Sequence, residues 1–390
     1  MTITFLDSSN QWIDHLVELC TPVPAQTTQG LLITPPLVDL KASVSDDLAE
    51  DVPIFPDTPA TPIGETYRQI PIEAFVFTPP TRVVRGLMVA VDSGVITLGN
   101  LVGGGVAFAI RGSAVCFADK NLLILRYKTG PLLITQKNIL SVFRYIGTRL
   151  GNPDLYVKEE NNQLIPQPSV IESTNQITDR CRNFIERMIQ EEALGILAGN
   201  GGGTLLVDGA LTVSYDTPKI YLEMMLRTAS RRSIGVCAIS KRSRISIGGV
   251  PVDSLFDAYP TFVGYAPLLQ AIDLERQAYS DLKLRSANDI TEAEEVYAVR
   301  FGFGPPGLTF RVDVTGSPAA SKVDVLNDVY FNAQMVGGYP KPLIDAHQYS
   351  SFLPGEAMSL LADLVARTGI RTKEEPSMGI LFQPFGAFGK

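Results

Sequence analysis

A continuous apolar run that ends in a single aspartate is the feature that most constrains how this chain can fold. Residues Gly86 to Val91 carry no charge and lead directly into Asp92, which Ser93 and Gly94 follow. An unbroken apolar run bounded by turn residues is typical of a strand buried on both faces. A carboxylate at its end is costly to desolvate unless a cation or a hydrogen-bond donor compensates it. The run therefore predicts a buried sheet with a compensated carboxylate at one edge.

The same design occurs a second time, where Thr204 to Val207 lead into Asp208 and Gly209. Two buried strands that each deliver one aspartate to the same sheet edge predict a metal site shared between Asp92 and Asp208. The alternative is that both aspartates are turn or cap residues.

The segment between these strands predicts a long helix that begins at Ser173 or Thr174 and ends near Ala198. One of its faces carries a carboxylate, Glu192, among apolar side chains. These apolar side chains are Ile185, Met188, Ile189 and Ile196. Glu191 lies one position round the helix and is the alternative, and a glutamate that only reaches solvent is a third reading. Together with the two aspartates, Glu192 would form a hard-oxygen site suited to Mg²⁺ or Mn²⁺.

The order of elements predicts an α/β fold with a mixed sheet flanked by helices. Short turns after the Asp92 strand, among them Arg111-Gly112, predict an antiparallel meander. The long helix, the Asp208 strand and alternating helices and strands follow, with helices expected over 219–231, 265–285 and 354–368. This order is the ribonuclease H plan, and it also matches the start of an actin-like ATPase. The ATPase alternative does not account for Glu192 or His347, and no P-loop lysine motif supports it.

The N-terminal part differs in amino-acid composition from the rest of the chain. Residues 7–20 predict an amphipathic helix, and residues 21–80 are rich in proline and poor in basic residues. This composition predicts an extended arm. We therefore divide the chain into residues 1–81, a helix with a proline-rich arm, and residues 82–390, the main domain.

Composition indicates a cytoplasmic protein. The four cysteines of the 390 residues form no CxxC pair, and only two histidines are present, which excludes a zinc finger and favours free thiols. The N-terminus has no basic start or long apolar core of the kind found in signal peptides. The apolar segment 95–110 is shorter than the roughly 20 residues of a membrane span, which favours strand-turn-strand over a membrane-facing segment.

The second histidine of the chain lies near its C-terminal end. Pro340 and Pro342 mark the start of a predicted helix, and His347 falls in its second turn. An imidazole there suits Mn²⁺ binding or proton transfer, whereas a packing histidine is the alternative.

Basic residues flank the predicted strand 234–239. Lys241, Arg242 and Arg244 follow it, and Arg227, Arg231 and Arg232 precede it. In a chain of net charge −8 these residues predict a local phosphate track, with Lys241 foremost because it lies at the strand end. A solvated basic loop is the alternative.

Four motifs, VAVDSG, LLVDGAL, GVCAISKRSR and GYPKPLIDAH, occur in this order and resemble the NurA family of DNA-repair nucleases. The resemblance implies a ribonuclease H-like core, a homodimer and a hexameric HerA translocase as partner. It implies that Asp92 and Asp208 are metal ligands, that His347 is the site histidine and that Tyr339 accompanies it. The family's helix glutamate falls at Glu191 or Glu192. The first motif reads DSG where DGS is common in the family.

From these observations we expect a metal-dependent DNA nuclease in which two Mn²⁺ or Mg²⁺ ions activate water and stabilise the leaving oxygen. The low overall charge favours DNA that is delivered by a partner. The alternatives are an actin-like ATPase and a non-catalytic DNA clamp or adaptor.

Overall fold

The structure, a computed structural model, describes most of the predicted main domain and little of the predicted arm. It describes residues 2–7, 10–20, 80–81, 86–101, 104–118, 121–161, 163–167, 174–214, 216–241, 243, 245–247, 250–257, 263–272, 291–302 and 309–368. Residues 21–79 of the predicted proline-rich arm lie outside these ranges.

Strands and helices alternate along the described chain. The strands are β1 Thr2–Asp7, β2 Leu87–Asn100, β3 Val106–Ala118, β4 Asn121–Ile134, β5 Val157–Glu160, β6 Gln163–Pro166, β7 Gly203–Asp208, β8 Ile234–Ser240, β9 Ser246–Ile247, β10 Val250–Pro251, β11 Gly264–Pro267, β12 Glu295–Arg300, β13 Phe310–Thr315, β14 Met335–Val336 and β15 Tyr339–Pro340. The helices are α1 Gln11–Cys20, α2 Ile139–Arg149, α3 Thr174–Gly199, α4 Lys219–Arg231, α5 Lys322–Asn332, α6 Lys341–Ser350 and α7 Pro354–Thr368.

Nine of the described strands form one mixed sheet in the order β1-β4-β3-β2-β7-β8-β13-β12-β11. Short connections make β2, β3 and β4 an antiparallel meander. The chain passes through α3 before β7 and through α4 before β8, and these crossovers make β2, β7 and β8 parallel. The predicted mixed α/β sheet with flanking helices is confirmed.

The central strands are buried on both faces, as their apolar sequences predict. Val89 and Val91 of β2 pack in the core that lies under α3. Met88 and Ala90, which alternate with them, pack in the core that includes residues of α5 and α6. Because side chains alternate along a strand, every residue of β2, β7 and β8 can be assigned to one of these two faces.

The N-terminal segment belongs to the same sheet as the main domain. Strand β1 pairs in parallel with β4, Thr2 opposite Asn121 through Asp7 opposite Arg126. Helix α1 buries Leu16 and Cys20 in the core under α3. Residues 2–7 and 10–20 thus form part of one layered structure with the domain predicted to begin at residue 82.

Two sequence predictions of local structure are wrong. We predicted a turn at Arg111-Gly112, but β3 runs through both residues. A Cβ on Gly112 would lie 2.1 Å from the Cδ1 of Ile189, so the glycine lets Ile189 of α3 pack directly on β3 and does not end the strand. We also predicted that a helix begins at residue 265, but residues 264–267 form β11, paired with β12. Helical residues begin at Leu269, and residues 273–285 lie outside the described ranges.

The segment 95–110 forms the adjoining ends of β2 and β3, which confirms strand-turn-strand. Among the helices that the structure describes, none combines the length and apolar character needed to cross a membrane.

A close contact between β8 and α5 yields a stability prediction. A Cβ on Gly235 would lie 2.3 Å from Cγ2 of Val325, whose branched side chain is stiff. We expect Gly235→Ala to lower the free energy of unfolding by about 1–3 kcal/mol through overpacking. Val325→Ala alone leaves a cavity and is also destabilising. The free energy of unfolding of the double variant, measured by chemical denaturation, should fall by less than the sum of the losses in the two single variants. Additive losses would show that the two positions do not meet.

Candidate active site

Asp92 and Asp208 lie side by side on neighbouring parallel strands. In the register of β2 and β7, Val91 is opposite Val207, so the next residue on each strand is an aspartate. Neighbouring strands are about 4.8 Å apart, which brings the two residues together. Asp92 is 7% exposed.

Both aspartates point to the face of the sheet that α6 covers. Met88 and Ala90 of β2 and Leu206 of β7 pack on that face, and Asp92 and Asp208 continue the same alternation. Asp92 pairs across the ladder with Ser113, whose hydroxyl donates to the carbonyl oxygen of Ala346 in α6. The strand alternation and this contact therefore agree.

Helix α6 brings His347 to Asp92. Pro340 precedes the first residue of the helix, and Pro342 lies in its first turn, where a missing N–H costs nothing. The Nδ1 atom of His347 lies 2.8 Å from Oδ2 of Asp92. This hydrogen bond, chiefly, raises the pKa of His347 above its ordinary value, against the opposing effect of burial.

Asp208 forms an ion pair with Lys241 and accepts a hydrogen bond from Tyr339. Nζ of Lys241 lies 2.6 Å from Oδ2 of Asp208 and 5.1 Å from the ring centre of Tyr339, within the range of a cation–π contact. The Tyr339 hydroxyl donates to Oδ1 of Asp208 over 3.4 Å. Burial, followed by the charge of Asp208, raises the pKa of Tyr339, which keeps its phenol protonated.

The structure does not bring Glu192 or Glu191 to the two aspartates. Oε1 of Glu192 accepts hydrogen bonds from Asn10 Nδ2 at 2.6 Å and from Trp12 Nε1 at 2.5 Å. Glu191 faces Arg149 of α2, whose guanidinium lies 3.9 Å from its carboxylate. Helix α3 covers the face of the sheet opposite to α6, so the sheet itself separates these carboxylates from Asp92 and Asp208.

Glu192 lies among apolar residues of α3 because its hydrogen-bond partners come from a different part of the chain. Trp12 of helix α1 and Asn10, which directly precedes that helix, donate to this carboxylate. The predicted apolar face was correct for Ile185, Met188 and Ile189, which are buried. Its carboxylate, however, anchors the N-terminal helix.

A different glutamate of α3, Glu186, contacts the residue next to Asp92. The Ser93 hydroxyl donates to Oε2 of Glu186 over 2.8 Å. Glu186 is 6% exposed, and its pKa is raised by burial, although Arg187 opposes this shift. Sequence reasoning missed Glu186. The usable signal was that it follows Ile185 directly and precedes Ile189 by three positions, close to the buried face.

The basic residues of the predicted phosphate track lie at opposite ends of strand β8. Lys241 follows the end of β8, whereas Arg231 and Arg232 precede its start. The seven residues of β8 rise about 3.3 Å each, so the backbone positions on either side of the strand lie roughly 23 Å apart. Arg242 and Arg244 lie outside the described residues. Among the described residues of the predicted set, Lys241 forms an ion pair with Asp208.

The donor atoms on this face suit a hard divalent cation, because they are carboxylate oxygens and an imidazole nitrogen. Within the described ranges, however, no three His, Cys, Asp or Glu side chains lie close enough to hold a metal ion. Magnesium is commonly bound by one or two protein carboxylates, with water and substrate phosphate completing its shell. Asp92 and Asp208 fit that pattern, whereas the predicted three-carboxylate site is not formed.

Solved structures similar to this chain include three of NurA. The crystal structure of the NurA nuclease from Sulfolobus solfataricus covers 78% of this chain and 92% of its own, at 14% identity and a TM-score of 0.43. A crystal structure of NurA bound to dAMP and manganese covers 77% and 92%, at 12% identity and a TM-score of 0.37. A crystal structure of NurA with manganese covers 78% and 95%, at 12% identity and a TM-score of 0.35. No family model matches the chain, and no curated protein matches it.

The contact between His347 and Asp92 yields a pH prediction for the metal-free protein. We expect the imidazole of His347 to titrate above its ordinary pKa of 6.5, because Asp92 stabilises its charged form. The pair should stabilise the fold fully below the unfolded-state pKa and less as pH rises through the higher folded-state pKa. Asp92→Asn removes the anion, so the pKa of His347 should fall back. NMR titration of the histidine signals measures the pKa of His347 in the wild type and in Asp92→Asn. A wild-type pKa at or below 6.5 would contradict the contact.

Proposed function

We propose that the protein is a divalent-metal-dependent nuclease that hydrolyses phosphodiester bonds of DNA. The observation that carries the proposal is the pairing of Asp92 and Asp208 on adjacent parallel strands, under a helix that supplies His347. Tyr339 and Lys241 complete the group on the same face. The motif resemblance noted in the sequence supports the same function.

The metal would be held by Asp92 and Asp208. When bound, a divalent ion polarises the phosphoryl group and supplies a nucleophilic water at neutral pH. The sequence predicts two Mn²⁺ or Mg²⁺ ions, and their number stays a prediction. His347 stays a predicted ligand or proton-transfer group, and Glu191 and Glu192 are withdrawn as ligands because the sheet separates them from the aspartates.

His347 is suited to proton transfer at Nε2. Its Nδ1 faces Asp92, which leaves Nε2 as the atom available to a substrate, and the side chain is 62% exposed. Asp92 orients the ring in the way that a carboxylate orients a catalytic histidine. A protonated imidazole at this position can donate the Nε2 proton to the leaving oxygen.

Lys241 and Tyr339 act on the Asp208 side. The side chain of Lys241 is 49% exposed and its ammonium group carries three donors, so it can contact both Asp208 and a substrate phosphate. The protonated phenol of Tyr339 donates to Asp208 and limits the rotation of that carboxylate. A phosphate held near Lys241 would lie beside the two aspartates.

The core is proposed to be ribonuclease H-like. The strand order β4-β3-β2-β7-β8, with β3 antiparallel and β7 and β8 parallel to β2, supports this assignment. Strands β13, β12 and β11 extend the sheet beyond that core.

The proposal includes the setting in which the nuclease works. We propose that it acts as a homodimer in the cytoplasm, in DNA end processing and double-strand break repair, with DNA delivered by a HerA-type hexameric translocase. The net charge of −8 supports delivery by a partner, because free capture of DNA would be electrostatically poor. Light scattering at micromolar concentration should give the mass of two chains; a monomer throughout would remove the dimer.

A non-catalytic DNA clamp is the second candidate. The observation that favours it is the ion pair of Lys241 with Asp208, which occupies an oxygen that a metal ligand would need.

One cleavage assay separates the two candidates. We expect Asp92→Asn and Asp208→Asn each to reduce Mn²⁺-dependent cleavage of labelled DNA by more than about 10²-fold, because each removes charge from the metal site. His347→Ala should lose about 10²-fold, the scale of a missing general acid.

Glu192→Gln is the matched control for these variants. It neutralises a carboxylate that binds Asn10 and Trp12, so it should lower the melting temperature and leave cleavage by the folded protein within about twofold. Glu191→Gln should also leave cleavage within about twofold. Wild-type protein without metal-dependent cleavage would favour the clamp.

A further inference from the structure

Ser350, the last residue of α6, is a buried hydroxyl that reaches the Asp92 carboxylate. It is 0% exposed, and its Oγ lies 3.2 Å from Oδ2 of Asp92. The same Oγ lies 3.1 Å from the carbonyl oxygen of His347, one turn back in the helix. A hydroxyl carries one proton, so it can donate to only one of these acceptors at a time.

Neighbouring contacts decide where that proton goes. The carbonyl of His347 already accepts the backbone N–H of Ser351 at 3.0 Å and the Ser351 hydroxyl at 2.7 Å. A carboxylate is also the stronger acceptor, because hydrogen bonds to charged groups are about twice as strong as neutral ones. The Ser350 hydroxyl is therefore free to donate to Asp92.

The donors around Asp92 are distributed unevenly between its two oxygens. His347 and Ser350 both face Oδ2, whereas Oδ1 accepts the backbone N–H of Ser93 at 2.8 Å. An ionised carboxylate has about four acceptor sites. With two donors on Oδ2 and one on Oδ1, the remaining capacity of Asp92 lies on Oδ1.

Strand β2 is built to let Ser350 approach this closely. A Cβ on Gly94, two residues after Asp92, would lie 2.5 Å from the carbonyl oxygen of Ser350. The end of α6 therefore lies directly on the backbone of β2, and the hydroxyl of Ser350 has little freedom to move.

We propose that Ser350 is a positioning residue of the active site, which holds the Asp92 carboxylate so that Oδ1 is presented to a divalent cation. The inference rests on the proposed function, since it assigns Asp92 a ligand role. Ser350 itself does not contact the substrate. Its effect is exerted through the orientation of Asp92.

Ser351 provides a matched control for the test. Its hydroxyl bonds to the same carbonyl of His347 but, among the contacts of the described residues, does not reach Asp92. Ser350→Ala and Ser351→Ala thus each remove one serine hydroxyl from the same end of α6. Only the first variant removes a donor to Asp92.

Calorimetric titration with MnCl₂ and steady-state DNA cleavage should be measured on both variants. For Ser350→Ala we expect Mn²⁺ affinity or kcat to fall about tenfold or more, the usual effect of losing a partner that orients a metal ligand, while KM for DNA stays within about twofold. For Ser351→Ala both quantities should stay within about twofold of wild type. Melting temperatures identify any general loss of folding.

The outcomes separate this inference from the proposed function. Wild-type protein that neither binds Mn²⁺ nor cleaves DNA overturns both. Active wild type with equal effects in the two variants overturns the role of Ser350 alone. The same conclusion follows if Ser350→Ala lowers only the melting temperature.

Discussion

The parallel pairing of β2 with β7 is the constraint on which the rest of the site depends. Both strands are apolar on both faces, so a slip of one residue would move every buried side chain of a strand to the wrong layer. The register is therefore strongly specified, and Asp92 and Asp208 occupy equivalent positions at its end. Two carboxylates in so apolar a setting repel each other, and the structure compensates them separately.

Compensation comes from elements that are distant in sequence. His347 and Ser350 reach Asp92 from α6, and Lys241 reaches Asp208 from the end of β8. Each contact lies within hydrogen-bonding distance, as buried charges require. The charges that would receive a metal ion are thus the same ones that tie α6 and β8 to the centre of the sheet.

The sequence predicted well the features that depend on local pattern. The apolar runs located β2 and β7, and helices over 219–231 and 354–368 were predicted with the bounds that the structure shows. What failed depended on a partner elsewhere in the chain. Gly112 resembled a turn because its sequence does not show that Ile189 packs on it.

The helix carboxylates show the same limit at the site itself. Helical periodicity assigned Glu192 to the apolar face, but periodicity cannot say which layer of the sheet the helix covers. Nor could it show that Trp12 of α1 and the preceding Asn10 would donate to Glu192. Ser350 was missed for a related reason, since its importance comes from the close approach of α6 to Gly94, which only three-dimensional packing reveals.

The short N-terminal strand carries a consequence for how the chain can be shortened. Strand β1 pairs with the first six of the fourteen residues of β4. It therefore covers backbone groups at the start of β4, and the shorter β1 becomes the end strand of the sheet. An uncovered edge is a template for pairing with other chains. Loss of the first twenty residues would thus expose the unpaired backbone groups of β4. We expect self-association of the protein before any effect on the distant aspartates.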